Sequence, residues 1–289
     1  MTVELKTLSL GDEDALRDFL APYEASSMFL LANSRAAGLV DQGQALQGTY
    51  VAAIEPGKWS GVAAHYWNGI LVLQAPDART LEPVARAAIL RSGRELRGLV
   101  GPREQVFGAL RALSLQDRPT THDSREKLYE LSLVELRVPD ALASGRVVCR
   151  RPRASELDVL AAWRAEFSIE SLGLSDGDDL RAESRADLVR QDANGSVWIA
   201  LEDGRPVSLS AFNARLPAIV QVGGVYTPPE WRGRGYARCA VAGSLLAMRQ
   251  AGAERAVLFT EEKNAAARAA YEALGFRVVG DYGLVIFSR

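Results

Sequence analysis

A chain of 289 residues exceeds the ~100–200 residues of a typical domain, which predicts two domains. With 48% hydrophobic and 24% charged residues, each half can bury a core of useful size. A net charge of −2 argues against a general nucleic-acid or membrane-binding surface.

In chain order, the first half shows a hairpin pattern over residues 51–58. An apolar run, Ile70-Leu71-Val72-Leu73, then passes through residues 74–79 into a helix, and a helical segment ends in residues 110–115. Residues 137–146 are rich in small residues, proline and glycine and read as a linker, giving domains 1–136 and 147–289. In the second half, Val147-Val148-Cys149 opens a strand, and residues 155–167 read as a helix capped by Ser155. A second helix is expected over 181–190, followed by a hairpin with strands 197–202 and 206–215 around Asp203-Gly204. An apolar strand over 218–227 leads through a glycine-rich run into a helix over 238–250. A buried strand over 255–260 and an alanine-rich helix follow, with Asn264 at its N-cap or first turn and Gly275 at its C-cap.

The halves share a grammar. Val51 to Lys58 parallels Trp198 to Arg205 at one constant offset, which also carries Ala64 onto Ala211. Asp14-Ala15-Leu16 parallels Asp158-Val159-Leu160, and Leu110 falls where the second half has Tyr271. Two copies of one α/β unit (α+β, with a mixed sheet) are predicted. No membrane-spanning or signal segment is evident. Cys149 and Cys239 are expected as reduced thiols in a cytoplasmic protein. Neither they nor His65 and His122 show metal-ligand spacing, and both histidines read as structural or surface residues.

The run Trp231-Arg232-Gly233-Arg234-Gly235-Tyr236-Ala237 carries the chemistry. A glycine-rich turn between strand and helix presents backbone N–H groups at the positive end of a helix dipole, a ready anion site. Arg232 and Arg234 add charge-assisted donors suited to phosphate oxygens. The run lacks the pattern of a nucleotide-hydrolysing P-loop and the dinucleotide fingerprint. It matches Arg/Gln-x-x-Gly-x-Gly/Ala, as Arg232-x-x-Gly235-x-Ala237, and resembles the pyrophosphate loop of the GNAT family of acetyl-CoA-dependent N-acetyltransferases. Asn264, Ala267, Tyr271 and Gly275-Phe276 are similar to a second signature of that family. The resemblance covers roughly residues 146–289. The first copy lacks the loop and has Arg103 and Leu110 where the second has Asn264 and Tyr271, so it resembles a degenerate GNAT fold.

The resemblance implies tandem GNAT-like folds with one acetyl-CoA site, in the second half. Acetyl-CoA would be the cosubstrate, with no metal. Its pantetheine arm would pair with Val225, Tyr226 and Thr227, and its pyrophosphate would rest on Arg232, Gly233, Arg234, Gly235, Tyr236 and Ala237. Arg238 would reach a phosphate or remain a solvated helix residue. Asn264 would touch the cofactor or only cap its helix. Tyr271 would protonate the departing thiolate or only pack against the cofactor. Glu166, Glu170 and Glu230 are candidate bases, each also readable as a solvated carboxylate, with Glu166 and Glu170 in the region that lines the acceptor site. Trp163, Phe167, Phe212 and Tyr226 would line the acceptor or belong to the core. The expected activity is direct transfer of acetyl to an amine in a ternary complex, without a membrane or nucleic-acid partner. The alternative is a non-catalytic acyl-CoA sensor or docking module. The acceptor and the oligomeric state are not legible.

Overall fold

The computed structural model describes residues 3–288. The chain forms two compact units, Met1–Leu128 with Gly280–Arg289, and Tyr129–Val279.

In the first unit, β1 (Glu4–Thr7), α1 (Glu13–Leu20) and α2 (Met28–Ala37) precede β2 (Gly48–Glu55), β3 (Lys58–Tyr66) and β4 (Ile70–Gln74). These four strands are successive antiparallel neighbours. Helix α3 (Ala78–Ser92) then crosses to β5 (Gly98–Pro102), which lies parallel to β4. Helix α4 (Arg103–Ala112) and strand β6 (Thr120–Ser132) follow. Val51, Leu71, Leu73, Leu99, Val84 and Val106 form the core between sheet and helices.

The second unit holds α5 (Asp140–Ala143), β7 (Val147–Arg150), α6 (Leu157–Leu172), α7 (Asp178–Ala193), β8 (Val197–Glu202), β9 (Arg205–Arg215) and β10 (Ile219–Tyr226). Strands β7 to β10 are again successive antiparallel neighbours. Helix α8 (Tyr236–Gln250) crosses to β11 (Arg255–Glu261), parallel to β10, and α9 (Ala265–Leu274) and β12 (Arg277–Phe287) close the chain. The expected duplication is therefore present as one strand order used twice. Alternation along β8 and β9 sorts side chains to two faces. Ile199 and Leu209 pack with Leu160 and Leu188 of α6 and α7. Phe212 packs with Val241 and Leu245 of α8, in the core rather than in an acceptor pocket.

Two expectations, the linker and the Ser155 cap, need revision, while the histidines are structural as expected. Residues 137–146 run along the surface of the second unit rather than between the two units: Arg137 N–H donates to the Leu274 carbonyl at 3.0 Å, and Leu142 lies partly buried against the core. The chain instead passes between units within β6 and returns within β12, whose later part pairs with β5 from Tyr282↔Pro102 to Ile286↔Gly98. Ser155 does not cap α6. A 3-10 turn over Ala154–Glu156 comes first, closed by the Glu156 carboxylate, which accepts from the Arg153 N–H at 2.6 Å and from Arg150 at 2.7 Å. His65 is fully buried on β3 with Nδ1 2.6 Å from Ser92 Oγ, and His122 is buried with Nε2 2.7 Å from Ser124 Oγ. Among the described residues, no helix is long and apolar enough to cross a membrane.

Val285 and Phe287 belong to the core of the first unit. Truncation after Val279 is expected to remove amide protection from β4 and β5, read by hydrogen exchange, while β8 to β10 stay protected.

Candidate functional site

The site begins where two parallel strands stop pairing. β10 and β11 are in register only from Ile219↔Arg255 to Gln221↔Val257, although β10 continues to Tyr226 and β11 to Glu261. A bulge accompanies the parting. β10 pairs with β9 through Gly223↔Ala211 and resumes at Tyr226↔Leu209, so Gly224 and Val225 face a single position of β9 and pair in register with neither neighbour. Gly224 has φ +60°, a left-handed conformation that a side chain would strain. The strand end is fixed from below. Ser208 Oγ donates to the Tyr226 carbonyl at 3.1 Å and lies 2.8 Å from Thr227 Oγ1.

A short 3-10 turn, Pro229–Trp231, leads into the loop. Gly233 and Gly235 both have positive φ, +77° and +81°. A Cβ at Gly235 would lie 3.0 Å from Arg238 Nη2, so the helix-start guanidinium rests over this glycine. Helix α8 starts at Tyr236 with no side-chain cap. Its first intrahelical bond from the loop is Cys239 N–H to Gly235 O at 3.2 Å. The amides of Tyr236, Ala237 and Arg238 therefore have no partner inside the helix, at its positive end.

The loop's side chains divide unequally. Arg232 is turned back: its N–H donates to Pro229 O at 3.2 Å, its Nε to Thr227 O at 2.9 Å, and its Nη2 reaches Glu170 at 2.7 Å. It positions the strand end, a role that differs from the phosphate contact expected of it. Arg234 is exposed, 5.3 Å over the Trp231 ring. The Tyr236 ring is buried beside Cys239 and Val207 with its hydroxyl on the Glu202 carboxylate, so only its backbone faces the loop.

On the far side of the cleft, Asn264 caps α9, accepting from Ala267 N–H at 3.0 Å. Tyr271, on the same helix, is half-buried against Phe276 at 6.0 Å. Burial alone pushes its phenol up to about 12. No protein hydrogen bond holds its hydroxyl among the described residues.

Across β10, α6 supplies the wall expected to face the acceptor. Glu170 accepts from Tyr226 at 3.3 Å and pairs with Arg232, while Glu166 pairs with Arg181 at 3.6 Å. Trp163 lies 6.4 Å from the Tyr226 ring. Burial, followed by the charge of Glu170 and its hydrogen bond, raises the Tyr226 phenol. The structure thus joins Glu170, Tyr226, Thr227 and Arg232 in one network; Glu166 stands beside it, and Glu230 is exposed in the 3-10 turn. Sequence reasoning missed Ser208, Asn213 and Arg164. A polar residue at every other position of Val207-Ser208-Leu209-Ser210 was the available sign for Ser208.

The first unit closes the equivalent places. Its β4 end is capped by Gln105, whose Oε1 accepts the Ala75 N–H at 2.6 Å. Helix α3 carries its own anion: Asp77 accepts from the Arg79 N–H at 2.9 Å and pairs with its guanidinium at 2.5 Å. Leu110, where Tyr271 stands in the other copy, is buried in the core.

Residues 158–276 match the family model described as "Acetyltransferase (GNAT) family", so this stretch is a GNAT domain. Among solved structures, an acetyltransferase from the GNAT family of Colwellia psychrerythraea shares 14% identity over 99% of this chain and 100% of its own, with TM-score 0.57. A GCN5-related N-acetyltransferase from Sphaerobacter thermophilus shares 17% over 98% and 94%, with TM-score 0.59. A tandem GNAT protein from the clavulanic acid biosynthesis pathway shares 14% over 99% and 98%, with TM-score 0.58. At these identities the likeness establishes the fold: two GNAT-like folds in tandem, only the second with the loop. No curated protein matches the chain by sequence.

Asn264→Ala is expected to cost ~1 kcal/mol in chemical denaturation through loss of the cap, with Asn264→Asp close to wild type. The same variants leave any ligand affinity at the loop unchanged if capping is the whole role of this side chain.

Proposed function

We propose that the second unit is an acetyl-CoA-dependent N-acetyltransferase that moves acetyl directly onto an amine in a ternary complex. The observation that carries this reading is the parting of β10 from β11 above an uncapped helix start. The gap admits an extended amide chain, as pantetheine is, along the strand end at Val225, Tyr226 and Thr227, where Val225 pairs in register with neither neighbour. Gly233 and Gly235 let the diphosphate approach the amides of Tyr236, Ala237 and Arg238, with Arg234 and Arg238 as added cations.

Chemistry then needs no acyl-enzyme. The amine nitrogen attacks the thioester carbon, and the carbonyl oxygen gains charge beside the bulge N–H at Val225. One such donor is worth ~3–4 kcal/mol in the transition state. Collapse breaks the C–S bond, and the departing thiolate takes the Tyr271 proton. A phenol raised to about 12 remains protonated across the range in which amines lose their protons, so the acid is loaded whenever the nucleophile is ready. The proton leaving the amine passes to Glu170 or Glu166, directly or through water. Holding amine and thioester in line supplies much of the remaining acceleration.

Two substitutions test the parts separately. Tyr271→Phe is expected to lower turnover at least ~10-fold while acetyl-CoA affinity by calorimetry changes little. Unchanged turnover at neutral pH would remove the general-acid role. Gly235→Asp places a side chain and a negative charge in the cradle and is expected to abolish acetyl-CoA binding; retained binding refutes the placement of the diphosphate. Thiol release over an amine panel separates a transferase from an acyl-CoA sensor, which would bind without releasing thiol.

A further inference from the structure

Arg164 lies on α6, and none of the roles assigned above uses it. Its Nη1 would stand 2.1 Å from a Cβ at Gly224, so the guanidinium is pressed onto the bulge backbone next to Val225. It is half-buried and sits 5.5 Å from the Phe167 ring centroid. The carboxylates of this region are engaged elsewhere: Glu166 on Arg181 at 3.6 Å, Glu170 on Arg232 at 2.7 Å and Asp187 on Arg190 at 2.8 Å. Among the described residues, no hydrogen bond or ion pair holds the Arg164 guanidinium. Burial pushes it below its usual range; the charge of Asp187 recovers part of this and that of Arg190 opposes it. A second polar group stands alongside. The Asn213 amide would lie 1.9 Å from a Cβ at Gly223, again without a hydrogen bond of its own among the described residues.

A half-buried arginine without a counter-ion keeps its donors free for an incoming group, and a carboxylate matches their planar geometry. Successive Cα atoms are ~3.8 Å apart, so a carboxylate on Arg164 would sit one or two carbons from an amine aligned on the thioester at Val225. We propose that Arg164, with Asn213 beside it, anchors a carboxylate on the acceptor, making the acceptor an amino acid rather than a polyamine or a protein lysine. This rests on the transferase reading above, in which Glu170 and Glu166 face the amine end.

The test compares the common amino acids, their amides and their decarboxylated amines, with a polyamine as control, by thiol release from acetyl-CoA. In wild type, kcat/KM for the best amino acid should exceed that for its decarboxylated amine at least ~50-fold, as expected when a buried polar group loses its partner. Arg164→Gln should erase that ratio by lowering only the amino-acid rate, leave acetyl-CoA affinity unchanged and melt no lower than wild type. Arg164→Lys should restore part of the ratio. Equal wild-type rates on amino acid and decarboxylated amine, or an equal loss on both in the variant, overturn the proposal. Calorimetry of the amino acids alone keeps its failure apart from that of the transferase reading. Amino-acid binding lost in Arg164→Gln upholds the carboxylate site even without transfer, and binding unaffected by the change overturns it.

Discussion

The second unit turns on a ladder that ends early. After Gln221↔Val257 the backbones of β10 and β11 part, although both strands continue. Backbone groups taken out of a sheet must find other partners or water. At the β10 end, several are settled internally: Ser208 takes the Tyr226 carbonyl and Arg232 takes the Thr227 carbonyl. The Gly224–Val225 bulge and the first amides of α8 are outside that arrangement. What remains open is thus two places on the backbone, the bulge at the strand end and the amides at the helix start, with Tyr271 and α6 on either side.

The first unit supplies the internal control. It uses the same strand order and the same crossover, but Gln105 occupies its strand end and Asp77 its helix start. A carboxylate fixed on the N-terminus of α3 repels a phosphate by charge and occupies its donors. The difference between the open copy and the closed copy thus lies in a few polar side chains placed on shared backbone geometry.

Much of this was legible in the chain. Arg232 to Ala237, Asn264 and Tyr271 marked the loop and the second helix, and the hairpin offset disclosed the duplication. The boundaries were not legible. Residues 137–146 have the composition of a linker, yet they belong to the second unit, with Leu142 partly buried against its core, because such packing depends on partners far along the chain. Arg232 shows the complementary limit. Its spacing placed it in the loop, but only the structure shows its guanidinium turned to Glu170 and Thr227. Arg164 gave no sequence sign, since an arginine in a helix ordinarily reads as solvated, and its isolation emerges only once Arg181, Arg190 and Arg232 have taken the surrounding carboxylates.

The return of β12 to the first unit sets an order on synthesis. A ribosome completes residues 1–128 long before residues 280–287, yet β5 receives its second neighbour only from the latter. The unit translated first is therefore the one finished last. Until then its β5 edge stays unpaired, while the second unit can already assemble its sheet from β7 to β11. Slowing elongation through the codons for residues 280–287 would prolong exposure of that edge and would leave the second unit largely untouched.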